Sequence, residues 1–335
     1  MMKTNEKKLL VIVLSLILIM AISSFGLASQ DKLEPVTIAT GPAGGMYQGL
    51  GGIIADTANS MTEGTPFGIV AGGSVPNVTM VAQKEAGIGI SLNAFLLLAE
   101  KGAEPFTDGP YKNLKALFSL TPSSHHFLVT KDLDNTAKNY KGLVENKLKI
   151  SYGGAGKTSP SYWIMETIFG YYGASQRAMQ EWGAEVMLQS TRENINAWSD
   201  GRSDVFNTIS MTPASSITEA TSTREGVFWD IPEEVINILL KQGYEKWTIP
   251  VGTYPGMDKD YNTVAARIVF FANDEVSNEA AYLITKATAE SQERLVSTVS
   301  SGFKKYWEPE RMCTEVGIEL HEGAKKYYRE RGWLK

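Results

Sequence analysis

The chain has little cysteine and little histidine: one Cys and three His in 335 residues. The lone Cys313 cannot close a disulfide within the chain, and no Cys or His cluster stands beside it in a metal-ligand spacing. His125 and His126 are adjacent in a β-type run, where neighbouring side chains point to opposite faces, so they are poorly placed to share one metal. H-E-x-x-H and G-x-S-x-G are both missing, which removes the commonest zincin and hydrolase signatures. Positive charge is not in excess, with 32 Lys and Arg against 37 Asp and Glu for a formal charge of −5. A pI of about 5.5 argues against a broad basic face for nucleic acid. After residue 28 no segment approaches 18 uninterrupted apolar residues, so no later stretch reads as a membrane span. What remains is an ordinary globular balance, 43% hydrophobic and 21% charged. At ~100–200 residues per domain, the length suggests two domains.

Residues 1–28 read as an export signal. Lys3, Lys7 and Lys8 precede the apolar core LLVIVLSLILIMAI (9–22), and Gly26 and Ala28 fit the −3 and −1 positions of a cleavage site. An uncleaved anchor is the alternative, because residues 9–28 count 20 positions, enough to cross a bilayer. Cleavage removes three Lys and one Glu and leaves a net charge of −7. No Cys follows the apolar core, so a lipid-anchored form is excluded. The expectation is a periplasmic, soluble protein in a compartment that normally lacks an ATP or NAD(P)H pool.

From Val36 onward, short β-type runs alternate with helical patterns. VTIAT (36–40) reads as a strand and GPAGG as a turn. Leu50, Ile53, Ile54, Thr57, Ala58 and Met61 then follow at helical spacing. FGIVA (67–71) repeats the strand, GGS repeats the turn, and Ser74 reads as an N-cap before a helix over 76–85. IGIS (88–91) is a third strand. The pattern restarts with KISYG (149–153), GAGKTS and a helix from Pro160 to about Phe169. EVMLQ, a short helix over 194–200 and DVFNTIS (204–210) follow. HFLVT (126–130) and VAARIVFFAN (264–273) suit two crossover strands, and a long helix is expected from Ser277 to Val299. Strand–helix alternation of this kind means βαβ units and a parallel sheet covered by helices. The fold class is therefore α/β, read as two lobes, with residues 31–126 plus 265–335 in lobe I and 127–264 in lobe II.

Three glycine-rich turns each join a strand to a helix: 41–45, 72–74 and 153–159. A helix N-terminus offers unpaired N–H groups and the positive end of the dipole, which suits an anion. In open α/β sheets such turns lie at the carboxyl edge, where ligands bind. Tyr47, Ser74, Asn77 and Thr158 decorate them, with Tyr47 placed to overhang the cleft. GAGKT is not a P-loop, since Ser151 fills the position of its first Gly. GPAGGM likewise misses G-x-G-x-x-G at Ala43.

TIATGPAGGMYQGLGGIIAD, GGSVPNV, KISYGGAGKTS, DGRSDVF and HEGAKKYYRERG occur in this order. Together, over roughly 36–332, they resemble the TAXI-type solute-binding proteins of tripartite ATP-independent periplasmic (TRAP) transporters. The resemblance implies a type II periplasmic-binding-protein fold with a ligand cleft between lobes, and no enzymatic activity, cofactor or metal. It implies capture of a small organic acid, glutamate-, dicarboxylate- or oxo-acid-like, by a monomer that delivers it to an ion-gradient-driven membrane permease. A sensor partner in signalling is the alternative. Carried over by position, the ligand-binding residues are Gly44, Gly45, Tyr47, Gln48, Ser74, Asn77, Asn93, Lys157, Thr158 and Ser159. The chain departs from the family pattern at Gln48 (a second Tyr in the family), at Lys157 (a Ser), at Leu92, Asn93 and Ala94 (Gln-Ser-Asp), and at Glu322 (the Pro of the terminal His-Pro-Gly-Ala, which reads His321, Glu322, Gly323, Ala324). A changed pocket implies a changed ligand.

Overall fold

The computed structural model describes residues 33–43, 45–299 and 302–335, so the expected export signal and Gly44 lie outside the described residues. Three strands, β1 (Val36–Ala39), β2 (Phe67–Val70) and β3 (Ile88–Leu92), run parallel in the order β2-β1-β3. Helices α1 (Met46–Ser60), α2 (Ser74–Ala82) and α3 (Asn93–Lys101) follow them in turn. The helical spacing read from Leu50 onward matches the buried face of α1, which includes Leu50, Ile53, Ile54 and Ala58.

Two long strands carry the sheet onward. β4 (Leu114–Thr130) and β10 (Tyr261–Asn273) pair antiparallel, and β10 also pairs with β3. β4 is far longer than the expected crossover HFLVT. Its middle, SLTPSSHH, is polar yet buried, because ladders with β10 and then β7 flank it.

Past Thr130 come α4 (Lys131–Ala137), α5 (Tyr140–Glu145), β5 (Ser151–Gly154), α6 (Pro160–Tyr171), α7 (Gln176–Glu181), β6 (Glu185–Leu188), α8 (Thr191–Ser199), β7 (Val205–Ser210) and α9 (Ser215–Thr223). β8 (Gly226–Phe228), α10 (Glu233–Lys241) and β9 (Glu245–Ile249) lead back to β10. The result is one mixed ten-stranded sheet in the order β2-β1-β3-β10-β4-β7-β5-β6, with β8 on β4 and β9 on β10. The fold is α/β, as expected, and residues 35–335 form one compact unit. Separate apolar clusters fill the two sides of the crossover. One holds Val78, Phe95, Phe271 and Val316, the other Leu128, Trp198, Phe206 and Tyr261.

Two expectations change. Ser74 is the first residue of α2 rather than its cap, because its hydroxyl is turned to Tyr47. The expected helix from Ser277 to Val299 is two helices, α11 (Asn278–Glu290) and α12 (Gln292–Thr298), capped by Ser277 at its start. At the break, Ser291 Oγ donates to the Ala287 carbonyl oxygen at 2.6 Å and reaches Thr57 Oγ1 at 3.0 Å. A back-bond of that kind bends a helix. After α13 (Gly302–Tyr306), α14 (Glu322–Arg331) packs on α11. Among the described residues no helix is long and apolar enough to cross a membrane.

Candidate functional site

The carboxyl ends of β1, β2, β5 and β7 open into the turns that carry most of the expected site residues. After β1, Gly45 precedes α1 in an extended conformation and donates its N–H to the Pro42 carbonyl oxygen at 2.9 Å. Tyr47 sits half-buried on the first turn of α1 and accepts a hydrogen bond from Ser74 Oγ at 3.2 Å. Burial pushes the phenol up to about 12 against the opposing effect of that bond, so the hydroxyl stays protonated. After β2, the Ser74 carbonyl oxygen accepts from Ser91 Oγ at 2.8 Å.

Asn77 is fully buried, and its amide is committed to backbone. Nδ2 donates to the carbonyl oxygens of Thr40 and Ile90, both at 2.7 Å, and Oδ1 accepts from Gly73 N–H at 3.0 Å. Asn93 behaves alike at the end of β3. Its Oδ1 accepts from the N–H groups of Ala94 and Arg267 at 2.9 and 3.0 Å, and its Nδ2 donates to the Glu315 carbonyl oxygen at 3.1 Å. Both side chains hold the edge of the sheet in shape.

In the second half, Lys157 and Thr158 are exposed on the turn after β5 and Ser159 is half-buried. Ser159 N–H donates to the Gly156 carbonyl oxygen at 2.9 Å, and its Oγ lies 3.1 Å from Ser161 Oγ. Trp163 Nε1 donates to the Lys157 carbonyl oxygen at 2.9 Å, which sets the turn against α6. The turn after β7 contains the cis Thr212–Pro213 peptide, and Thr212 Oγ1 lies 2.5 Å from Ser124 Oγ on β4.

These turns meet. Val75 N–H donates to the Thr158 carbonyl oxygen at 3.4 Å, joining the turn after β2 to the turn after β5. Trp163 and Val75 both pack against the cluster that holds Val78. A cavity of about 920 Å³ separates the start of α1 from the turn after β7. Gly45, Met46, Gln48 and Gly49 line one wall, and Ser210, Met211, Pro213, Ser215, Thr218 and Glu219 line the other. The structure therefore brings Tyr47 to Ser74, Thr158 to the 73–75 turn, and Gly45 and Gln48 to the cavity. It sets Asn93 against Arg267 and Glu315 instead.

The wall from β7 was not among the expected residues. The expected walls are marked by glycine-rich turns, and SMTPASS contains no glycine. The signal available was positional, because DVFNTIS is itself a strand whose carboxyl end enters a helix.

Beneath the turns lie the two histidines, buried and facing opposite ways. His125 Nε2 is 2.7 Å from Asn207 Oδ1, and Asn207 Nδ2 donates to Tyr152 Oη at 2.7 Å. His126 Nε2 is 2.8 Å from Tyr254 Oη, which also accepts from Ala214 N–H at 3.1 Å. Burial pushes His125 down to about 4 and His126 down to about 3, so both rings are neutral near pH 7. Glu219 at the cavity rim pairs with Arg192 at 2.7 Å. No group of three or more metal-ligating side chains occurs among the described residues.

Several solved structures are similar over most of the chain. The malate-bound MatC protein of Rhodopseudomonas palustris is 16% identical with a TM-score of 0.47, covering 90% of this chain and 97% of that one. PhnD1 of Prochlorococcus marinus in complex with methylphosphonate is 12% identical with a TM-score of 0.48, covering 90% and 97%. A marine-metagenome TRAP solute-binding protein specific for pyroglutamate, from an unidentified microbe, is 13% identical with a TM-score of 0.41, covering 90% and 94%. The sequence profile of the NMT1-like family matches residues 38–332, nearly everything the structure describes, and the chain belongs to that family.

Proposed function

We propose that the protein is an extracytoplasmic solute receptor of the TAXI type, exported by residues 1–28, which captures a small organic acid and hands it to a TRAP permease. One observation carries the reading. Turns from the carboxyl ends of strands in both halves of the sheet face each other across a cavity of about 920 Å³. Ligands of open α/β sheets bind at that edge. In this reading residues 31–126 with 265–335 form one lobe and 127–264 the other, and β4 and β10 are the hinge.

The acid's carboxylate docks beside the opening turn of α1, at the positive end of the helix dipole. Tyr47 and Ser74 stand beside it as a hydrogen-bonded pair. Closure brings the turn of Thr158 and Ser159 onto the solute, with the bond from Val75 to the Thr158 carbonyl as the contact that closure makes. Lys157 supplies a charge to the acid on closure, a contact worth ~1.5–3 kcal/mol. The acid selects the closed state by binding it better, and the permease reads that state. The acid leaves chemically unchanged, and the receptor works as a monomer.

Thermal unfolding of the full-length protein against acidic amino acids, dicarboxylates, oxo acids and neutral amino acids tests this reading. An acid present at 100 times its Kd stabilises by ~2.7 kcal/mol. For a chain of this size that moves the midpoint by roughly 4 °C. A shift with an acid, recovered unaltered afterwards, supports the receptor. No shift after the protein has been unfolded, stripped and refolded rules out an acid receptor. Lys157→Ala is expected to weaken the acid about tenfold or more, and unchanged affinity for every acid would remove the charge role.

A further inference from the structure

Trp198, Trp229 and Trp307 are the buried tryptophans among the described residues. Trp198 Nε1 donates to the Ala220 carbonyl oxygen at 3.0 Å, and Trp229 Nε1 donates to Asp134 Oδ1 at 2.7 Å. Trp307 departs from this rule. It is 3% exposed, and its Nε1 has no acceptor among the described residues. An indole N–H can only donate, and a buried donor left unmet is costly. Trp307 lines a second cavity, of about 210 Å³, which shares no described lining residue with the cavity of about 920 Å³.

The second cavity lies against the two long strands. Pro122 of β4 and Arg267 of β10 line it and stand opposite each other in the ladder. Trp247 of β9 and Tyr306 of α13 add an aromatic wall, with ring centroids 5.6 Å apart. Lys305 and Arg311 line it too and are exposed, and Lys305 Nζ lies 4.8 Å from the centre of the Tyr306 ring. Glu308 is the one acid among the described lining residues. Glu315 takes both guanidinium groups, Arg267 through Nε and Arg311 through Nη2 at 3.4 Å. Three cations against these two carboxylates leave one positive charge over. Glu245, which pairs with Ala265 two residues before Arg267, stands nearby, and burial raises its carboxyl against the charged form that would offset this excess.

We propose that this cavity is a second binding site, for a small oxyanion of the carboxylate or phosphate type that accepts from Trp307 Nε1 and meets the charges of Lys305 and Arg311. A charged acceptor answers both observations at once, the unmet indole N–H and the positive excess. A neutral molecule answers only the first. The volume equals that of roughly seven water molecules, enough for phosphate or a small carboxylic acid. Ordered water is the rival occupant, and it predicts no response to any anion. The site is separate from the solute cavity, so it stands whether or not that cavity takes an acid.

Titration of the full-length protein with phosphate, acetate and benzoate at fixed ionic strength tests this. Calorimetry gives the affinity, and the indole N–H signals in a nitrogen-correlated proton spectrum give the place. Trp307→Phe identifies the Trp307 signal by removing it. At least one of the three anions is expected to move that signal saturably, and the one that does so distinguishes phosphate from carboxylate. Lys305→Gln and Trp307→Phe are each expected to weaken that anion about tenfold, since each removes a donor to a charged group. A cooperative thermal transition certifies that each variant is folded. Lys305→Gln, at an exposed side chain, carries the test if Trp307→Phe is not. No saturable response to any of the three anions overturns the proposal. An affinity left unchanged by Lys305→Gln places the anion elsewhere and overturns it as well.

Discussion

Asn77 shows how much geometry a single buried amide can set. Its three bonds tie the residue after β1, the middle of β3 and the 71–73 turn into one unit. Asn77→Ala leaves two backbone carbonyls and one N–H without that partner, at a cost of ~3 kcal/mol or more. The urea midpoint should fall with the slope unchanged, and a midpoint within error of the parent would refute this account. Tyr47→Phe removes only the acceptor for Ser74 Oγ and should cost about 1 kcal/mol, read in the same titration. The sequence marks Ser74 and Asn77 as polar residues after a glycine turn. Where their side chains point is decided by carbonyls of β1 and β3 that the sheet brings alongside, and no local pattern encodes that.

At the scale of elements, the apolar spacing that predicts α1 works because the helix buries one continuous stripe. Gly51 lies within that stripe, where α1 crosses β1 so closely that an added Cβ would collide with the Thr40 methyl group. Gly51→Ala should therefore destabilise by ~1–3 kcal/mol despite its better helix propensity, as overpacking does. A gain in thermal midpoint would show the crossing to be looser than described. The same local logic fails for the middle of β4. SLTPSSHH has neither alternation nor a continuous apolar run, so only the HFLVT that begins at its last residue reads as a crossover strand. SLTPSSHH is a strand because β10 and β7 supply ladder partners from distant parts of the chain. The break at Ser291 was hidden for a related reason, since Thr57, its partner across the helix pair, is 234 residues away.

For the molecule as a whole, pH is the sharpest probe. His125 and His126 are held at about 4 and about 3 in the fold, mainly by burial, against an ordinary value of 6.5. Below 6.5 the unfolded chain takes up protons that the folded chain refuses, so stability is complete above about 6.5 and drains away as pH falls toward 4. The His125 share is on the order of 3 kcal/mol by pH 4. Glu319, held at about 2 by Lys115 and Lys325, acts in the same direction but only in a lower window, so the histidine loss comes first. Thermal midpoints should hold level from pH 7.5 to about 6.5 and fall from there to 4.5, and a flat profile throughout would mean that the rings are not buried. The scarcity of histidine also has a practical side. The three imidazoles occupy three separate settings: His125 beside Asn207 at the cavity end of β7, His126 against Tyr254 on the other face, and His321 capping α14 with its Nε2 3.0 Å from the Val276 carbonyl oxygen. In a proton spectrum their ring signals form a built-in set of reporters, one beside Asn207 on β7, one on the reverse of the sheet and one at the C-terminal helix. A solute that moves the first signal and leaves the third in place would localise its own binding without a label.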